Sequence, residues 1–281
     1  MEENIITSPQ NARIKHVVAL QQKSSLRRKE GLFVVEGRRE IEHCIECGYE
    51  VVELFIVDGL QLTVDGLQFT VDYPATIVSR LVYEKMAYRG STEGLMAVVK
   101  VKDHRLFSLL APHSTLHERF SLHSPLIIVL ERVEKPGNLG AILRSADAAG
   151  ADAVVVCDPL TALYNPNVVR ASTGAVFSMP MVACTSEECI DFLKARGIAI
   201  LTAQLQDSSL YYDTDMCRAT AIVMGTEATG LTDQWRKAAT AHIRIPMLGI
   251  TDSLNVSVSA AILLYEAVRQ RRGAQQTSPK E

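Results

Sequence analysis

The 281-residue sequence predicts an α/β protein in two unequal halves, a small mixed module followed by a parallel sheet covered on both faces. Three observations predict it. From residue 126 onward, short runs such as LIIVL, AVVVC and AIVMG alternate with stretches of helical periodicity, and strands that are apolar throughout have no side left for solvent. The first hundred residues alternate helix and strand on a smaller scale. Between the two, HRLFSLLAPHSTLHERFSLHSP loses its periodicity and gathers His, Ser and Pro. The expected limits are 1–103 for the module, 104–124 for a linker, 125–270 for the sheet domain and 271–281 for a disordered tail.

In the module, Asn11 to Gln22 reads as a helix, Leu32 to Val35 as a buried strand, Arg38 to Cys47 as a helix and Val51 to Val57 as a strand. VDGLQLT at 57–63 recurs almost unchanged as VDGLQFT at 64–70. Asp-Gly pairs favour tight turns, so the duplication reads as a lengthened loop or hairpin. In the second half the order is strand LIIVL, helix from Leu139, strand AVVVC, helix near Pro166, strand near Val182 and helix near Glu187. Strands IAIL and AIVMG, a helix near Asp233, strand HIRIP and a final helix complete it.

Composition narrows the class. Hydrophobic residues at 47% suffice for substantial cores, and no run of about 18 uninterrupted apolar residues suggests a membrane span. The opening MEENIITSPQ is acidic and polar, unlike a signal peptide, and six irregularly spaced cysteines suit a reducing compartment, so a soluble cytoplasmic protein is expected. The net charge of -3 excludes a protein that coats nucleic acid by bulk charge. Between Arg13 and Arg39, however, eight bases face only Glu30 and Glu36, a local excess of +6. Such a patch is the footprint of a polyanion site, or else a solvated helix face. His113 and His117 have the i, i+4 spacing of a metal pair but no third ligand, and Cys44 and Cys47 form a lone C-x-x-C late in a helix. Both read as ordinary side chains, and no metal is expected.

Ligands of open parallel sheets bind beyond the carboxyl ends of the strands, so the loops there carry the functional reading. In EKPGNLGAILRSADAAG, Asn138 is placed to cap a helix whose buried stripe is Leu139, Ile142, Leu143 and Ala146. Arg144 then points away from that stripe, and a helix start with an outward guanidinium suits a phosphate. Gly137, Gly140 and Asp158 also resemble a dinucleotide fingerprint, but G-x-x-G replaces G-x-G-x-x-G, leaving a nicotinamide oxidoreductase as a competing reading. The glycines of GTEATGL permit close backbone approach to a ligand. The final helix, from Val256, starts with polar residues and becomes apolar on more than one face, as expected of a helix covered by its own core and by a second subunit.

Three motifs in order, N-x-G…R-S-A-x-A-x-G, V-M-G-x-E-x-x-G-L and I-P-M-x-G…S-L-N-V-S-V-S, resemble those of the SpoU family of RNA ribose 2′-O-methyltransferases, within the SPOUT superfamily. The first hundred residues, through S-P-x-N-x-x-I-K and F-V-V-E-G, resemble the family's ribosomal-protein-like substrate-binding module. The resemblance implies a knotted fold, S-adenosylmethionine as cofactor and a homodimer through the final helix. It implies cofactor contacts from Gly225, Ile245, Met247, Gly249 and Leu254, and a reacting centre of Asn138, Arg144, Glu227, Ser253 and Asn255. RNA contacts are expected from Arg13, Lys15, Arg27, Arg28, Lys29 and Arg38, with structured RNA, ribosomal before transfer RNA, as partner and neither DNA nor membrane. A non-catalytic RNA-binding protein of the same fold is the alternative.

A ribose hydroxyl is a weak nucleophile, while a sulfonium methyl is already activated. The protein's task would be to hold oxygen, methyl and sulfur in line and ease loss of the hydroxyl proton. An arginine stays protonated in nearly all settings, which favours phosphate clamping and hydroxyl orientation as the role of Arg144.

Overall fold

The structure is a computed structural model that describes residues 5–60, 73–88, 93–102, 106, 124–226 and 229–277. The chain divides into two compact units. Residues up to Lys102 together with Tyr164–Arg170 form one, and the remainder forms the other.

The first unit is a four-stranded mixed sheet in the order β1-β4-β2-β3, with β1 Leu32–Glu36, β2 Val51–Val57, β3 Ala75–Val78 and β4 Leu95–Lys100. β4 pairs antiparallel with both β1 and β2, and β3 lies parallel to β2. Helices α1 (Ala12–Gln22) and α4 (Arg80–Met86) bury Ile14, Val17, Leu20, Val82 and Met86 in a core with Val34, Phe55 and Met96. Asn11 caps α1 through a bond from the Arg13 N–H, and Ser79 caps α4. Two further helices are α2 (Ser24–Glu30) and α3 (Arg38–Glu46). Tyr164, distant in sequence, belongs to this unit, with its ring stacked on Phe33 at 4.5 Å between centroids and its hydroxyl 3.1 Å from that of Tyr49.

The second unit is a parallel seven-stranded sheet in the order β7-β6-β5-β10-β8-β11-β9. Its strands are β5 Leu126–Glu131, β6 Ala153–Cys157, β7 Met181–Cys184, β8 Ala199–Ala203, β9 Ser209–Leu210, β10 Thr220–Met224 and β11 Ala241–Arg244. β5, β6 and β10 are buried along their whole lengths, as uninterrupted apolar runs require. The covering helices are α5 (Pro136–Ala149), α7 (Ala175–Ser178), α8 (Ser186–Ala195), α9 (Asp233–Ala238) and α10 (Val256–Thr277), while α6 (Pro166–Ala171) is counted mostly with the first unit. Ala260, Leu263, Leu264 and Ala267 form one buried face of α10, spaced as a helix stripe must be, and α10 packs on α5.

Two expectations need correction here. Residues 271–277 do not belong to a disordered tail, because α10 continues to Thr277. Arg271 explains this, since its guanidinium donates to the carbonyls of Ser124, Pro125, Met216 and Arg218, tying the helix to the amino ends of β5 and β10. Asn138 does not cap α5. Pro136 occupies the first turn, where its missing N–H costs nothing, so the helix begins at Pro136 and Asn138 lies inside it. α2, β3, α4, β4, α7 and β9 are additions to the elements read from the sequence. The second copy of the VDGLQ repeat and both His113 and His117 lie outside the described residues, as does the linker apart from Leu106 and Ser124.

Candidate active site

The sheet order itself locates the site. From β5 the chain builds outward through β6 to β7, and β10 flanks β5 on its other side. Strand connections therefore diverge between β5 and β10, and a crevice opens beyond their carboxyl ends. A hollow of about 170 Å³ lies there, walled by Leu130, Glu131, Val133, Lys135, Asn138, Met224, Gly225, Thr226 and Val256. A larger groove of about 580 Å³ runs beside Ala148, Ala149, Tyr265, Val268, Arg269 and Arg272 on α5 and α10, away from the strand ends, and is a surface feature of the helix pair.

Two of the three sequence motifs meet at the hollow through a side-chain bond. Asn255 Nδ2 donates to Asn138 Oδ1 at 3.2 Å across 117 positions of sequence. The same Asn255 caps α10, because its Oδ1 accepts from the Ser257 N–H at 2.9 Å and from Ser257 Oγ at 2.6 Å. One amide thus starts a helix and bridges to another. The second motif supplies the wall opposite, a turn closed by reciprocal backbone bonds between Thr226 and Gly230. Gly225 packs closely on this turn, since a Cβ there would stand 2.3 Å from the Gly230 carbonyl carbon.

Arg144 is exposed on α5, opposite buried Leu139, Ile142, Leu143 and Ala146. Among the described residues its guanidinium makes no hydrogen bond or ion pair. It lies six residues past Asn138, about 9 Å along the helix axis. Ser253 is exposed and donates to Asp252 Oδ1 at 3.2 Å. Glu227 lies outside the described residues. Of the five proposed cofactor residues, Gly225 lines the hollow, whereas Ile245, Met247, Gly249 and Leu254 stand in the loop after β11 and do not. That loop leaves large apolar side chains uncovered, Leu248 at 96% and Ile250 at 105% relative exposure.

Glu131 escaped the sequence reading. It is a buried acid at the end of β5 whose carboxylate accepts from the Thr232 N–H at 2.9 Å and from Thr232 Oγ1 at 2.6 Å. The signal was present in an acid directly following LIIVL. Asp158 is spent on Ser186, accepting from its N–H and hydroxyl at 3.2 and 2.6 Å, which removes the carboxylate that the dinucleotide reading required for a ribose.

Within the first unit the basic residues separate into two sets. Arg27 is buried and donates to the carbonyls of Leu20 and Gln21 at 2.6 and 2.9 Å, so it closes the end of α1 and is withdrawn as an RNA contact. Burial pushes its pKa down. Arg13 is paired with Glu53 and Thr76, and Arg38 with Glu42 at 2.9 Å. Lys15, Lys23, Arg28, Lys29 and Arg39 remain exposed. Cys44 is fully buried in α3, and Cys47 is half-buried at its end.

Comparison with known proteins agrees with this geometry. Residues 125–265 match the SpoU rRNA Methylase family, and residues 11–97 match an MRM3-like substrate binding domain. A 23S rRNA (uridine(2479)-2′-O)-methyltransferase from Streptomyces viridochromogenes is 32% identical over 98% of this chain and 95% of its own. The crystal structure of an RNA 2′-O ribose methyltransferase is 38% identical with a TM-score of 0.78, covering 95% of this chain and 99% of that one. The SpoU methyltransferase AviRb from Streptomyces viridochromogenes, solved in complex with AdoMet, superimposes with a TM-score of 0.83 at 30% identity over 94% of this chain and 99% of its own. A parallel sheet open between β5 and β10, three motifs in one order and likeness along nearly the whole length have one explanation: the chain belongs to the SpoU rRNA methylase family.

Proposed function

We infer that this chain methylates a ribose 2′-hydroxyl of ribosomal RNA, with S-adenosylmethionine as the methyl donor. The observation that carries the reading is the Asn255–Asn138 bond, which joins the first and third motifs at the hollow between β5 and β10. The cofactor supplies an activated methyl group on a sulfonium. The residues present suit it. The hollow offers apolar walls at Leu130, Val133, Met224 and Val256 beside the polar Asn138 and Thr226. At about 170 Å³ it is smaller than a usual ligand pocket, about 300–1,000 Å³, so the loop carrying Ile245, Met247, Gly249 and Leu254 must complete the enclosure. Uncovered Leu248 and Ile250 give that loop apolar surface to bury.

In this reading Asn138 and Asn255 fix the position of the reacting hydroxyl, and Ser253 and Glu227 orient it. Arg144, uncommitted among the described residues, clamps the adjoining phosphate and stays charged throughout. Lys15, Arg28 and Lys29 of the first unit hold more distant phosphates, together with Arg13 and Arg38 where their carboxylate partners yield. A homodimer forms on the outward face of α10, where Val258 and Tyr265 are about half exposed beside half-buried Ala261, Ile262 and Val268. The knotted course of the last loops and a cytoplasmic location belong to the same proposal.

The direct test is methyl transfer from labelled S-adenosylmethionine to 23S rRNA and to bulk tRNA, followed by mapping of ribose methylation. Incorporation at one 23S position is expected. Incorporation into tRNA alone would move the target, and none into either RNA would sink the reading. Arg144→Ala should lose about 10²-fold in turnover, the scale of a lost transition-state contact, while calorimetry finds S-adenosylmethionine affinity unchanged.

A further inference from the structure

Three of the six cysteines, separated in sequence at 157, 184 and 189, converge on one point of the second unit. Cys157 and Cys184 end the parallel strands β6 and β7 in direct register, so their side chains leave the sheet on the same face. Thr185 then caps α8, and the first turns of that helix bring Cys189 back over the pair. All three sulfurs lie within 4.8 Å of one another, and Cys157 Sγ is 4.0 Å from Cys184 Sγ. Cys157 and Cys189 are fully buried, while Cys184 is half-buried and leaves a path from solvent.

Thiols that merely fill a core need no common focus. A cation bound about 2.3 Å from each of three coplanar sulfurs separates them by about 4.0 Å, which is the Cys157–Cys184 spacing here. The surroundings fit a sulfur-only site. The neighbouring carboxylate of Asp158 is held by Ser186, and among the described residues no other group of three potential ligands lies so close together. Soft thiolates in a three-coordinate arrangement select soft d10 ions over magnesium, calcium or manganese.

We propose that Cys157, Cys184 and Cys189 form a three-sulfur site for a soft d10 cation of the zinc, cadmium and copper(I) class. Binding forms three metal–sulfur bonds, and the thiol protons pass to solvent. The site stands apart from methyl transfer but reaches its edge through the backbone, because the Cys157 carbonyl accepts from the Arg132 N–H at 2.8 Å. Arg132 opens the segment leading to α5 and holds a left-handed φ of 53°.

The test is an anaerobic titration of the reduced full-length protein with Cd2+, read by the thiolate-to-cadmium charge-transfer band and by X-ray absorption at the metal. One equivalent bound with three sulfur neighbours is expected, together with a raised unfolding temperature. Cys184→Ser, at the half-buried position, should weaken that site at least about tenfold, the effect of about 1.4 kcal/mol. Cys189→Ala should do the same, and Cys47→Ser should change nothing. Absence of a one-equivalent site would overturn the proposal. So would a site that survives Cys184→Ser and Cys189→Ala but disappears in Cys47→Ser.

Discussion

Two loops stand at the carboxyl ends of β10 and β11, strands of one sheet separated by β8, and they are built in opposite ways. The turn after β10 is committed to the protein. Gly225 packs on Gly230, Thr226 and Gly230 exchange backbone bonds, and the buried carboxylate of Glu131 anchors Thr232 behind them. The loop after β11 is committed to little, with Leu248 and Ile250 extended into solvent and the Ser253 hydroxyl donating to its neighbour Asp252. The difference teaches how such a site can combine precision with enclosure. A fixed wall sets the position of the chemistry without ordering cost at binding, while a wall with uncovered apolar side chains gains its burial only when a ligand or partner arrives.

The largest way to break this contrast is Gly225→Ala. The new methyl would meet backbone, which cannot rotate aside, so the turn must open. A loss of about 1–3 kcal/mol in stability and about 10²-fold in turnover is expected from thermal unfolding and methyl-transfer assays. A Gly225→Ala protein with normal activity would show that the turn is not a fixed wall. Glu131→Ala comes next. It strips acceptors from the Thr232 N–H and hydroxyl and should lower stability by about 1–3 kcal/mol, with cofactor affinity falling as the turn loosens.

Asn255→Ala sharpens the comparison because it lies where the open loop becomes helix. It should cost about 1 kcal/mol as a lost cap and weaken cofactor binding as well; full activity would remove Asn255 from the proposed centre. The smallest effects on stability belong to the open loop. Ile250→Ser and Gly249→Ala should each shift the unfolding free energy by less than about 0.5 kcal/mol, since Ile250 is fully exposed and a Cβ at Gly249 meets nothing within 4 Å. Ile250→Ser should still weaken S-adenosylmethionine binding by about tenfold, the worth of burying part of one aliphatic side chain. Unaltered affinity would assign that apolar surface to RNA or to a second subunit instead.

The same division between committed and uncommitted groups explains what could be read from the bare chain. β5, β6 and β10 were legible because a strand buried on both faces favours long runs of apolar residues, unlike the spaced stripe of an amphipathic helix. The stripe of α5 and the exposure of Arg144 followed from helical geometry alone. Charge was less informative. Arg27, Arg28 and Lys29 are adjacent and chemically alike, yet the turn between α1 and α2 buries the first on two carbonyls and leaves the others in water.

By itself, then, the sequence determined the class of fold, the order of the three motifs and the helix face that Arg144 occupies, because each depends on local periodicity or on residue types close together in the chain. The tertiary structure alone decided that Asn138 faces Asn255 across 117 residues, that Glu131 holds Thr232 across 101, that Arg271 ties α10 to the amino ends of β5 and β10, and that three scattered thiols share one focus. Such pairings have no local signature. They arise from strand order and register, which bring together groups whose separation along the chain carries no information about their distance in space.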